Sequence, residues 1–270
     1  MPTRILVLFA CYCTGASSLL LVPALRPAPT GCVASVASSR TGNLRCEEIP
    51  EEVAKQIPPE KLAMAWKREE EAKELAELLK GCQLYMVGLS ARKNAVGRAL
   101  ARRLQTYRLL DVPALMLSTY KALSGGEAAV SMEQLMASEP VEDVAQLSAS
   151  VMREVQQYTR SVIVTWDGAV ETSDYMTMQQ GIVACLQFEG NADDIYLPAE
   201  NGEEVLERWR EGHEKADVSV DVAAGVAPDD AAALLVSELV AFIKKNPAKS
   251  AEWKATADAK LAEKDSDDDE

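Results

Sequence analysis

The chain has 270 residues, 48% of them hydrophobic, and a formal charge of −14. Such a length and apolar content suit one sizeable globular domain with extensions, while the charge argues against wholesale binding to nucleic acid, a polyanion that this surface would repel. With a single histidine, His213, and no CxxC or HExxH pattern, a structural zinc ion has no ligand set.

The first residues read as an address. Arg4 precedes an apolar run, Ile5 to Ala10, which resumes as Leu19 to Val22; Pro, Ser, Thr and Arg then dominate through Arg45, and no Asp or Glu precedes Glu47. A short apolar core behind a basic start is a signal-peptide pattern, and the acid-poor, Ser-rich continuation is transit-peptide-like. Residues 1–46 are therefore expected to be a cleaved bipartite leader that sends the protein to a plastid, there to lie in the stroma or on the thylakoid. The apolar runs are broken and short of the ~20 residues a span needs, so no transmembrane segment is expected in the mature chain. Four of the six cysteines lie in this leader; Cys82 and Cys185 are expected to be small core residues.

Residues 47–81 turn acidic and helical. Pro58-Pro59 offers a helix start, Glu60 to Lys80 contains no Gly or Pro, and Gly81 offers a stop. Leu62, Trp66, Leu75 and Leu79 fall mostly at helical spacings, a face that either packs on the chain's own domain or docks on a protein partner.

From Gln83 the pattern alternates. Strands are expected at Gln83 to Val87, Tyr107 to Leu110, Ser161 to Thr165, Ile182 to Phe188 and Val218 to Val222. Helices are expected at Asn94 to Leu104, around Tyr120, at Val141 to Tyr158 and at Pro228 to Lys244. Strands separated by helices favour right-handed crossovers and a parallel sheet covered on both faces, hence a three-layer α/β domain of about five strands. Arg98, Arg102 and Arg103 read as a solvated helix face. Beyond Lys245 the pattern is lost and the chain ends in EKDSDDDE, so residues 246–270 are expected to form a disordered acidic tail.

The chemistry concentrates in LYMVGLSARKN, residues 84–94, which runs like a strand into a phosphate-cradling loop. In G-x-x-x-x-G-K-[ST] the glycines let backbone N–H groups converge on phosphate, the lysine adds charge and the hydroxyl holds Mg²⁺. Here Lys93 follows Gly88 one residue early, Arg92 stands in the slot before the lysine, and Asn94 stands where the hydroxyl belongs. Lys93 with Arg92 could still hold an anion at the helix N-terminus through the dipole and free N–H groups.

The continuation VGRALA, Val96 to Ala101, with LLD at Leu109 to Asp111, VMREV at Val151 to Val155, VIVTWDGAV at Val162 to Val170 and GIVACL at Gly181 to Leu186, resembles the shikimate kinases in order as well as content. The resemblance covers roughly residues 82–244 and implies a P-loop kinase-like domain (82–245) using ATP and Mg²⁺ to phosphorylate shikimate. The phosphate loop would comprise Gly88, Arg92, Lys93 and Asn94, and the substrate pocket Asp111, Asp167 and Gly168. Carried over position by position, the family's magnesium hydroxyl falls on Asn94, its substrate aspartate on Pro113, its substrate arginine on about Ala145, and two glycines of its triplet on Trp166 and Asp167. From Ser161 through Glu207 there is no Lys or Arg to serve as a lid cation. The pocket is expected neither to attract shikimate's carboxylate nor to leave room for it, so no cofactor is assigned with certainty. In kind the resemblance is closer to the catalytically divergent shikimate kinase-like proteins of plastids. A pseudoenzyme acting as a scaffold, assembly or regulatory factor is one expectation, with a protein partner such as a photosynthetic or thylakoid-associated complex. A phosphotransferase of altered substrate, using Lys93 and Asp167, is the other. Asp167 reads either as a partner for magnesium or a substrate hydroxyl, or as the cap of the next turn.

Overall fold

The computed structural model describes residues 59–124, 131–170, 172–190, 195, 197 and 201–267. The expected leader, the first part of the acidic extension and part of the lid region lie outside them.

Five parallel strands form one sheet in the order β2-β3-β1-β4-β5: β1 Leu84–Val87, β2 Arg108–Asp111, β3 Ser161–Val164, β4 Ile182–Phe188 and β5 Val218–Val222. Tyr85 of β1 stands in register with Ile163 of β3 and Val183 of β4. A central parallel strand is covered on both faces, which is why β1 and β3 are buried at every position, while the edge strand β5 alternates buried and exposed.

The pleat sends Leu84 and Met86 to one face and Tyr85 and Val87 to the other, and two separate cores result. On the first face pack α1 (Pro59–Leu79), α2 (Arg92–Leu104), α8 (Pro228–Lys245) and α9 (Pro247–Asp267). On the second lie α3 (Val112–Leu123), α4 (Met132–Ser138), α5 (Val141–Val155), α6 (Thr172–Met178) and α7 (Gly202–His213). This is the expected three-layer α/β architecture with a parallel five-stranded sheet and a helix in front of it.

Among the described side chains of α1, Ala72, Leu75 and Leu79 of its second half are buried, whereas Met64 and Trp66 are 55% and 63% exposed. The stretch expected to be a patternless tail is a correction, because it is helical as far as Asp267. Trp253 and Ala257 of α9 are buried, and Trp253 stacks at 6.1 Å on Phe242 of α8. Lys260 Nζ donates to the Gln156 carbonyl at 2.7 Å and to Gln83 Oε1 at 3.3 Å, and Gln83 Nε2 donates in turn to the Val155 and Gln156 carbonyls at the end of α5. The last helix thus closes the bottom of the sheet.

Candidate functional site

Because β1 lies between β3 and β4, its carboxyl end meets theirs, the place where open α/β sheets bind ligands. Thr165 N and Oγ1 both donate to the Met86 carbonyl at 3.1 Å, fixing the chain after β3 against β1. Gly88 follows β1 with φ +142°, and a Cβ there would lie 2.3 Å from the Leu186 carbonyl oxygen of β4. Only glycine fits this close approach of two backbones.

The loop then tightens into a turn that satisfies itself. Ser90 is buried; its Oγ accepts from Arg92 N at 3.1 Å and its carbonyl from Lys93 N at 3.2 Å, while Asn94 N donates to the Ala91 carbonyl at 3.1 Å. A phosphate loop leaves such amides for its ligand. The expectation that free N–H groups survive at this helix start is therefore corrected for residues 92 to 94. Arg92 turns its guanidinium over the Phe188 ring, 4.8 Å from the centroid, in a cation–π contact.

Lys93 is 2% exposed and forms an ion pair with Asp167, and its Nζ also donates to the Ser90 carbonyl at 3.3 Å. Asp167 is the counter-ion of the loop lysine, a role that the sequence reading did not give it. The two residues are 74 apart in sequence and meet because β3 flanks β1. Burying both charges costs solvation, and that cost is offset only while each has the other.

Asp111 caps α3, accepting from Ala114 N at 3.2 Å, and stands 3.9 Å from the Arg98 guanidinium. Trp166 is buried and meets Trp209 edge-on at 5.4 Å; a Cβ on Gly168 would lie 2.4 Å from Trp166 and 2.7 Å from Trp209. The one glycine surviving from the expected triplet is thus required by the tryptophan pair.

A cavity of about 320 Å³ opens beside the loop, lined by Lys93, Asn94, Asp111, Pro113, Trp166 and Asp167, with Leu117, Met132 and Met136 as its apolar side. Room therefore remains, contrary to the expectation, because Trp166 forms a wall of the cavity against Trp209 and does not fill it. Four of the seven site residues expected from the sequence meet on this cavity; Gly88, Arg92 and Gly168 do not line it.

Residues missed by the sequence reading are Ser90, Trp209 and His213. Burial, and secondarily the Lys93 charge, lowers His213 to about 3, and its Nε2 finds no hydrogen-bond partner among the described residues. Its being the sole histidine was the available signal. Cys82 and Cys185 are buried free thiols pushed up by burial to about 12 and about 11, consistent with inert core residues.

ATP with Mg²⁺, bound as a phosphate loop binds it, does not fit these residues. The lysine is already paired with a carboxylate, three amides are already bonded, and the position for the magnesium hydroxyl carries a carboxamide whose Oδ1 has no partner among the described residues.

No family model matches the chain. Two proteins described as shikimate kinase, from Synechococcus elongatus and from another Synechococcus strain, are each 26% identical over 191 residues, spanning 65% of this chain and 95% of the relative. Among solved structures, shikimate kinase from Acinetobacter baumannii in complex with shikimate is 19% identical, covers 63% of this chain and 98% of its own, and gives a TM-score of 0.48. Shikimate kinase from Aquifex aeolicus is 15% identical with coverages of 62% and 99% and a TM-score of 0.44. By sequence, the chain is a homologue of the shikimate kinases.

Proposed function

We propose that this protein is a shikimate kinase homologue that no longer transfers phosphate and serves in a plastid as a scaffold, assembly or regulatory factor. The observation that carries the reading is the buried Lys93–Asp167 pair. Phosphoryl transfer needs cations free to meet the negative charge that develops on the transferred group. Here the loop lysine is held by a carboxylate of the same chain, and no Lys or Arg occurs from Ser161 through Glu207. Pro113, Asn94 and the self-bonded turn support the same reading. The plastid assignment is supported by the acid-poor leader pattern of residues 1–46, and the protein partner by Trp66 and Met64 standing exposed on α1.

Calorimetry with ATP and with ADP, each with and without Mg²⁺, alongside a shikimate phosphorylation assay, tests the loss of catalysis. The expected outcome is no magnesium-dependent heat and no phosphorylated product. Magnesium-dependent ATP binding that disappears in a folded Lys93→Met variant, with turnover, would overturn the reading in favour of an active kinase of shikimate or an altered substrate. A partner test belongs beside it: crosslinking in isolated plastids is expected to trap a protein through α1, and Trp66→Ala to abolish that product.

A further inference from the structure

The polar side chains around the cavity beside the loop are turned to the protein. Lys93 and Asp167 are buried in their ion pair, Asp111 accepts from Ala114 N and has the Arg98 guanidinium beside it, and Ser131 Oγ accepts from Gln134 N at 3.3 Å as the cap of α4. Asn94 Oδ1 and Trp166 Nε1 are shut off from solvent. Each carboxylate on the wall thus has its cation, and a charged ligand entering here would lose water without meeting a free opposite charge.

What the wall offers a ligand is apolar. Pro113 and Leu117 of α3, Met132 and Met136 of α4, and Trp166 after β3 line the 320 Å³ space. Met132 and Met136 are four residues apart on α4, so both thioethers come from one face of that helix. A methionine sulfur attracts an aromatic ring, and its unbranched chain adapts to the outline of what enters. An apolar cavity of roughly 150 Å³ takes one benzene ring, so this one, about twice as large, suits two fused rings.

We propose that this cavity binds a small uncharged aromatic molecule of two fused rings, held by apolar contact with Leu117, Met132, Met136 and Trp166 and by no ion pair. The inference rests on the Lys93–Asp167 pair staying closed, the observation that also carries the proposed loss of catalysis, and gives the surviving pocket a ligand class that needs no free cation.

The test titrates the full chain, its methionine methyls labelled with ¹³C, with 1-methylindole, 1-methylindole-3-carboxylate and myo-inositol at up to millimolar concentration. The methyl signals of its 9 methionines are followed, with Met132→Leu and Met136→Leu identifying the two on α4. The uncharged indole is expected to shift both saturably through its ring current, the carboxylate to bind at least tenfold more weakly, and inositol, all hydroxyl, not to bind. Ala114→Trp, from an exposed position lining the cavity, is expected to abolish the shift, and Leu117→Trp serves if that variant does not fold. No saturable shift from 1-methylindole, or a shift that persists in the filled variant, overturns the proposal and leaves the reading of lost catalysis standing. Inositol binding as tight as that of 1-methylindole overturns it in the same way. Carboxylate binding as tight overturns it too and shows Lys93 to be available to anions, which also fails that reading. Magnesium-dependent ATP binding in the calorimetry beside an intact 1-methylindole shift upholds the ligand class and fails that reading alone.

Discussion

Lys93, in the first turn of the helix after β1, and Asp167, just past the end of β3, bury their opposite charges against each other at the place where a phosphate loop would hold its anion. The carboxylate supplies from within what a nucleotide phosphate would supply from outside. Removing it alone leaves a buried cation, so Asp167→Ala is expected to cost about 3–5 kcal/mol. The double replacement Lys93→Met with Asp167→Leu removes both charges and is expected to cost much less. Urea unfolding of the two single variants and the double variant checks this through the coupling energy; additive losses would show the pair to be energetically idle. Pyrophosphate is expected to raise the melting temperature of Asp167→Asn and not that of the parent.

The sheet was legible from residue pattern because β-branched runs such as Ser161–Val164 and Val218–Val222 have few other uses. The pair at the site was not, since Lys93 and Asp167 were read in separate local contexts and their meeting depends on β3 lying beside β1. Asn94, Asp111 and Pro113 line the cavity, and each follows directly from a strand or the loop, so their neighbourhood could be read from local sequence. The last helix was missed for a compositional reason: its Ala, Lys and Glu residues and acidic end look solvated. Trp253, Ala257 and Lys260 nevertheless share one face at helical spacing.

Trp253 supplies most of that helix's apolar anchor, against Phe242. Trp253→Ala is expected to destabilise the domain by about 3 kcal/mol or more. Hydrogen exchange should then rise at the Gln156 and Tyr158 amides, which donate to the Met152 and Val155 carbonyls in the turn that Gln83 Nε2 ties down, because Lys260 would no longer hold Gln83. Protection unchanged at both would detach α9 from the stability of the sheet.

The two site glycines should differ in how they can be rescued. Gly88→Ala drives a Cβ into the Leu186 backbone carbonyl at a φ that side chains avoid, so no side-chain truncation should restore stability. Gly168→Ala meets only the rings of Trp166 and Trp209, an overpacking expected to cost about 1–3 kcal/mol. Trp166→Leu in the same chain should recover part of that loss. Thermal unfolding of the four variants reads the difference; rescue of Gly88→Ala by a truncated neighbour would contradict the geometry at the end of β1.

His213 gives the fold a pH dependence whose sign follows from burial. Its imidazole falls from the ordinary 6.5 to about 3, desolvation acting first and the Lys93 charge second. Above pH 6.5 the ring is neutral in both folded and unfolded chains and contributes no slope. As pH falls from 6.5 towards 3, the unfolded chain takes up a proton that the folded chain refuses. Stability then declines by up to about 1.4 kcal/mol per pH unit. Since this is the chain's 1 histidine, urea midpoints between pH 7 and 5 isolate it before the carboxylates titrate. His213→Gln is expected to flatten that limb. A slope that persists undiminished in the variant would show that His213 is not the source of the acid sensitivity.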